Sequence, residues 1–313
     1  MNERLWEGGL GAEPAAAPAP MKGLYIAESD KLRVTVDHDV LRIEQEGRAP
    51  WFIQPKRVER AVLWGNISMD TGAIGLLLAN DIPISFLDRN GTTLGIAWSP
   101  LTRLSSGEAL IERRRRDPEW ADAYRKLLDS WVRTTRLAFV RRADPRTWEL
   151  WTDKGFRVKD WEVWRAAHLA TGHPAEWVNL PWRYLRSLLW ETATAALLRD
   201  GFDPHKGVLD PRQRFGMVRE MVQPLLPWVD SCVHWGARSG VLDRSVVDEE
   251  GELRMKPAAV RRWTARFEAN LPWIELELKR QIEEVLDLAR DWQPPVGRPR
   301  KPPRLAATGI VDT

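Results

Sequence analysis

The 313 residues predict an α+β protein: a small sheet domain first, then a larger all-helical domain. Two observations carry this. From about residue 22 to 100 the apolar residues alternate with period two in short segments, and after Pro100 they recur at three- and four-residue steps. The punctuation changes with them. Asp-His-Asp and Asn-Gly turns break up the first part, whereas Asp-Pro pairs open segments in the second.

Gly23-Leu24-Tyr25-Ile26-Ala27 reads as the first strand. Lys31 to Val36 and Val40 to Glu44 alternate on either side of the turn Asp37-His38-Asp39. Val58 to Trp64 leads to Gly65-Asn66, Thr71 to Leu78 reads as a short helix, and Ile82 to Leu87 as a strand ending at Asp88-Arg89-Asn90-Gly91. Asp117-Pro118 then starts a long helix, aspartate capping and proline in the first turn. Its apolar face runs through Trp120, Tyr124, Leu127, Leu128, Trp131, Thr135 and Ala138. Asp144-Pro145 repeats the start signal. Asn179-Leu180-Pro181 precedes an amphipathic helix through Leu185, Leu188, Leu189, Ala193, Ala196 and Leu197, which ends near Asp200-Gly201. A helix from about Arg214 to Leu225 follows, and Leu253 to Leu286 reads as two more, jointed at Leu271-Pro272.

The ends differ in composition. Residues 1–21 are an Ala/Pro-rich leader expected to be flexible, and 291–313 a basic Pro-rich tail, which leaves domains at 22–102 and 103–290. With 43% hydrophobic and 29% charged residues the composition is that of a soluble globular protein. No apolar run approaches the roughly 18–20 residues a bilayer requires, so no membrane contact is expected. The single cysteine, Cys232, excludes an intrachain disulfide and a cysteine zinc site, which suits the cytoplasm. Eighteen tryptophans far exceed ordinary usage and are expected mostly as core or interface anchors.

General catalytic motifs are missing. The histidines at 38, 168, 173, 205 and 234 have no zinc-binding spacing, and there is neither a phosphate-cradling Gly-x-x-x-x-Gly-Lys nor a Gly-x-Ser-x-Gly elbow. Charge says more. Net charge is +3, yet Arg113, Arg114, Arg115 and Arg116 are consecutive, Arg133 and Arg136 follow at helical spacing, and Arg141, Arg142 and Arg146 come next. Such a run neutralises nucleic-acid phosphates. The plainer reading is a solvated face paired with Glu112, Asp117, Glu119 and Asp122.

The stretch Gly201-Phe202-Asp203-Pro204-His205-Lys206-Gly207-Val208-Leu209-Asp210, followed by Gln223-Pro224-Leu225-Leu226-Pro227-Trp228-Val229-Asp230, resembles the central motif of the CRISPR-associated integrase family. Members of that family are endonucleases that capture and insert new spacers. Trp64 to Ser68, Ala79 to Asp88 and Gly91 to Gly95 are similar to phrases of its N-terminal β-sandwich, and Val241 to Val260 to its late hairpin. The resemblance covers about residues 22 to 290. It implies a β-sandwich that dimerises, a helical catalytic-type domain, and a role in antiviral defence. The implied partners are duplex DNA, a second copy of the chain, a small CRISPR-associated ferredoxin-like protein and an active integrase homologue.

The resemblance also implies one divalent cation, Mg²⁺ or Mn²⁺, held by a glutamate, a histidine and a second carboxylate, polarising a phosphate while a DNA 3′-hydroxyl attacks it. Ala143-Asp144-Pro145-Arg146-Thr147-Trp148-Glu149 fits the glutamate slot, with Asp160-Trp161-Glu162 as the competing alignment. The histidine slot holds Asp210 and the second carboxylate slot Gln223. The implied catalytic set is thus Glu149, Asp210 and Gln223, and the implied metal set Glu149, Asp210 and Glu220, the last one helical turn before Gln223. His205 is a candidate displaced imidazole. Each residue has a plainer reading: Glu149 opposes a helix dipole, Asp210-Pro211 is a capping pair, and Glu220 a surface residue beside Arg219. A neutral Gln223 supplies no charge, and the family's Pro-x-Arg-Pro has become Pro224-Leu225-Leu226-Pro227. The expectation is weak or absent metal binding with weakened or absent strand transfer. The alternative is a non-catalytic structural subunit supporting an active integrase homologue or another defence complex.

Overall fold

Two four-stranded sheets enclose a common core in the first third of the chain. The computed structural model describes residues 23–293 apart from 30, 100–104, 170–171, 211 and 250–251. The expected leader, and the expected tail beyond residue 293, lie outside the described residues. One sheet has the order β1 (Gly23–Ala27), β5 (Arg60–Trp64), β7 (Ile84–Leu87), β8 (Thr93–Ala97). Its first three strands run parallel, and β8 returns antiparallel to β7. The other has the order β4 (Trp51–Ile53), β3 (Val40–Glu44), β2 (Arg33–Asp37), β6 (Ser68–Met69). Period two does its work here: Leu24 and Ile26 of β1, and Leu41 and Ile43 of β3, are buried while their neighbours are not. Helix α1 (Thr71–Ala79) starts at Asp70, whose carboxylate accepts the Ala73 N–H, and adds Ala73 and Leu77 to the core.

The rest is helical: α2 (Ser106–Arg114), α3 (Pro118–Ala143), α4 (Pro145–Lys154), α5 (Val158–Leu169), α6 (Ala175–Arg199), α7 (Gly216–Val222), α8 (Leu226–Arg238) and α9 (Pro257–Asp291). A hairpin of β9 (Val246–Glu249) and β10 (Glu252–Met255) precedes α9. Both Asp-Pro starts are present. Asp117 caps α3 through the Glu119 and Trp120 N–H groups, and Asp144 caps α4 through the Thr147 N–H. Helix α6 forms the middle of the large core, packed by α7, α8 and α9.

Several expectations need correction. Residues 253–255 belong to β10, and from Pro257 onward the region is one helix, because Pro272 is exposed and gives up only its own N–H bond while α9 stays packed along α6 and α2. Helix α6 begins at Ala175, before Pro181 rather than after it. Strands β4, β6 and β8 and helix α5 carry no clear period in sequence, and α8, whose buried residues Trp228, Val229, Cys232, Val233 and Gly236 do follow helical spacing, is not among the expected helices.

Strand β5 joins the two parts. Ala61 and Leu63 point into the sandwich core, whereas Val62 belongs to the helical core. Arg60 on the same strand is 2% exposed and meets Glu268 of α9 at 2.6 Å and Glu191 of α6 at 3.0 Å. Its guanidinium also donates to the Tyr25 hydroxyl at 2.8 Å, and that hydroxyl donates to Glu268. The Glu191 contact is an ion pair without hydrogen-bond alignment, so both Glu191 oxygens lack a hydrogen-bond partner. Burial pushes the Glu191 carboxyl up to about 8, against the pull of Arg60.

Candidate nucleic-acid interface and the expected metal corner

One carboxylate ties together the turn after α6 and the helix that follows it. Glu220 of α7 is buried; its Oε2 accepts from the Tyr124 hydroxyl at 2.9 Å and the Val208 N–H at 3.0 Å, and its Oε1 from the Leu209 N–H at 2.9 Å. Desolvation pushes this carboxyl above the usual carboxylate range, opposed by those three donors and by Arg115. Gly207 permits the approach: a Cβ there would stand 2.7 Å from Glu220 Oε1 and 2.9 Å from the Gly216 backbone. Since Tyr124 lies on α3, Glu220 pins α3, the turn and α7 at one point.

The residues expected to hold a cation are not gathered there. Asp210 and Gln223 are both exposed; Asp210 accepts the Arg212 N–H at 3.3 Å, and Gln223 continues α7 into a short 3-10 turn. Glu149 is exposed on α4, which packs on α3 beside a satellite core of Val140, Trp151, Trp161 and Trp164. Glu162, the competing residue, faces Arg136 at 3.9 Å. His205 uses its Nδ1 to accept the Phe215 N–H at 3.2 Å. Among the described residues, no group of three or more His, Cys, Asp or Glu side chains is placed to hold a metal. The donor set does not fit Mg²⁺ or Mn²⁺, because Glu220 has given both oxygens to protein donors, Gln223 is neutral and Glu149 belongs to another helix. Glu220 is therefore corrected from ligand to structural anchor.

The arginine run divides in two. Arg115 is buried, reaching Glu108 at 2.8 Å and Glu112 at 2.6 Å and donating to the Lys206 carbonyl. Arg114 donates to the Ala289 carbonyl near the end of α9 at 2.9 Å. Arg136 lies over the Trp161 ring at 5.2 Å, mostly covered, and desolvation lowers its pKa. Each of these three thus has a protein partner that the run of charges does not reveal. Arg113, Arg116 and Arg133 remain exposed.

A second basic face was missed in the sequence. On α6, Trp182, Arg186 and Trp190 stand at i, i+4 and i+8, with the Arg186 guanidinium 5.6 Å from each ring centroid. The aromatic line continues to Phe215 at 6.0 Å from Trp190, to His205 at 4.2 Å from Phe215, and to Trp98 at 5.3 Å from His205. Phe215 adopts φ +57°, a left-handed conformation that a bulky side chain rarely takes, at the start of α7. Arg183 on α6, Arg212 and Arg214 just before α7, and Arg219 on α7 are exposed. Among the described residues, none of these four, nor Arg186, is paired with a carboxylate, in contrast to Arg60, Arg115, Arg165 and Arg280. The signal that could have found it is the Trp-x-x-x-Arg-x-x-x-Trp spacing within α6.

Residues 24–141 match the model of the family described as CRISPR associated protein Cas1. No curated protein matches the sequence. Among solved structures, the chain is similar to a casposase bound to integration product, with TM-score 0.67 and 18% identity over 88% of this chain and 92% of that one. It is similar to a CAS1 protein from Thermotoga maritima, with TM-score 0.67 and 13% identity over 85% and 97% of the two chains. A third similarity is to a Cas6-RT-Cas1–Cas2 complex, with TM-score 0.65 and 14% identity over 86% of this chain and 35% of that one. At these identities the likeness is one of fold, an α+β fold that agrees with the resemblance read from sequence motifs.

Proposed function

We propose that this chain is a divergent Cas1-type protein that binds spacer DNA and takes part in its insertion into the CRISPR array, with metal-dependent strand transfer weakened or absent. The observation that carries this reading is the commitment of Glu220 to three protein donors beside a neutral Gln223. A corner so built supplies too little negative charge to hold a divalent cation, while its unpaired arginines attract the phosphates of DNA. The similar casposase is described bound to an integration product, and a similar Cas1-containing chain in a complex with Cas2, which supports DNA and a small CRISPR protein as partners. A second copy joined through the sheet domain belongs to the same reading. Trp51 and Phe52, more than half exposed on the edge strand β4, suit such a contact.

The test is integration of a short duplex with free 3′-hydroxyl ends, in Mg²⁺ and then Mn²⁺, by the natural protein, Glu149→Ala and the Asp210→His, Gln223→Glu double variant. The oligomeric state of each preparation is recorded by sedimentation, a dimer being expected. All forms are expected to bind duplex, and the natural protein and Glu149→Ala to transfer strands equally poorly. Robust natural activity that disappears in Glu149→Ala overturns the reading and establishes an altered working triad. No transfer in any form, with DNA binding intact, identifies a non-catalytic subunit.

A further inference from the structure

We propose that Arg186 and Arg219, framed by Trp182 and Trp190, form a metal-independent clamp for one backbone phosphate of a nucleic acid and the base next to it. The inference rests on the DNA-binding reading above and specifies which groups do the binding. Arg186 sits on α6 between two half-buried indole faces, and Arg219 sits on α7, one turn before Gln223, whose N–H donates to the Arg219 carbonyl. Arg219 thus stands on the same face of α7 as Gln223, the position where a cation-binding carboxylate was expected.

Three features point to an anion rather than to a structural role. Neither arginine has a carboxylate partner among the described residues, in contrast to Arg60, Arg115 and Arg165. Trp190 lies 6.0 Å from Phe215, whose carbonyl accepts the Arg219 N–H at 3.0 Å, which brings Arg219 to the neighbourhood of the indole that Arg186 covers, and the like charge of Arg219 adds to desolvation in lowering the Arg186 pKa. Both side chains reach the surface, where an incoming anion can meet them. The rings add the second half of the site. A guanidinium fork matches phosphate oxygens, and an indole face accepts a base by stacking with no sequence preference. No oxygen in the clamp is needed to coordinate a metal, so chelation leaves it intact.

The experiment measures fluorescence anisotropy of a labelled short duplex, blunt or carrying unpaired thymidines at its 3′ ends, on the full chain in Mg²⁺ and in EDTA. The variants are Arg186→Gln, Arg219→Gln, both together, Trp190→Leu and, as a comparison, Arg113→Ala with Arg116→Ala. Thermal melting reports the folding of each. Affinity is expected to be equal in Mg²⁺ and EDTA. Each clamp variant should weaken binding about tenfold and reduce the salt slope by about one phosphate. The double variant should lose less than the product of the singles, because both arginines hold one group. Trp190→Leu should weaken the unpaired-end duplex more than the blunt one. Loss of affinity in EDTA, or unchanged affinity in folded clamp variants while Arg113→Ala with Arg116→Ala weakens binding, overturns the clamp and leaves the functional reading standing. No binding by the natural protein to either duplex overturns both.

Discussion

Glu220 shows how much one side chain settles. Its two oxygens take three donors from two separate regions of the chain, and the nearest backbone crossing, Gly207 against Gly216, has no space for a Cβ. Glu220→Gln would turn an amide NH₂ toward at least one of those donors and leave a buried N–H or hydroxyl without an acceptor. The expected cost is about 2–3 kcal/mol, read as a lower urea midpoint with an unchanged slope. A loss within experimental error would mean that the turn is held by other contacts. In the sequence, Glu220 was visible only as a carboxylate near an expected ligand position. Donor geometry decides between ligand and anchor, and donors from Val208, Leu209 and Tyr124 come together only through tertiary structure. The partners of Arg114, Arg115 and Arg136 were hidden for the same reason: a run of like charges does not reveal which members have carbonyl, carboxylate or ring partners.

Among the elements, those with a long period and a capping signal were legible, and short or covered ones were not. The starts at Asp117 and Asp144, the helix α1 and the hairpin of β2 and β3 follow from aspartate caps and alternation. Strand β4 has three residues, with Trp51 and Phe52 exposed, too few to establish a period. In β5 four consecutive residues are buried, because sandwich and helical domain cover opposite faces, and alternation disappears. Proline misled at α9. Pro272 leaves the Glu268 carbonyl without its helical donor, yet the packed neighbours carry the helix through. Since Pro272 is exposed, Pro272→Ala restores that bond without a packing loss and should stabilise the protein by about 1–3 kcal/mol, seen as a higher thermal midpoint. A lower midpoint would show that the proline bend is what brings Glu268 to Arg60.

For the whole molecule, the junction around Arg60 sets the pH response. The folded Glu191 carboxyl keeps its proton up to about 8, whereas the unfolded chain releases it near 4.5. Between these values the folded state binds more protons, so this group's contribution to stability falls as pH rises. Glu191→Gln is neutral throughout and should remove that fall: its midpoint relative to the natural protein should rise from pH 5 to pH 8. An equal difference at both pH values would mean that Glu191 is ionised across the range and paired to Arg60. The same junction qualifies the domain boundary expected near residue 103. The change in apolar period there is real, but the buried contacts run straight across it from β5 to α6 and α9.

Arg60, Glu191 and Glu268 come from three elements widely separated along the chain, and one guanidinium answers both carboxylates. Replacing Arg60 alone would leave the half-buried Glu268 without its cation, and replacing both acids would strand the buried cation. A lineage can exchange Glu191 for a neutral side chain, but one that loses Arg60 or Glu268 alone leaves the other unanswered, so the seam between sheet and helices is also a constraint on inheritance.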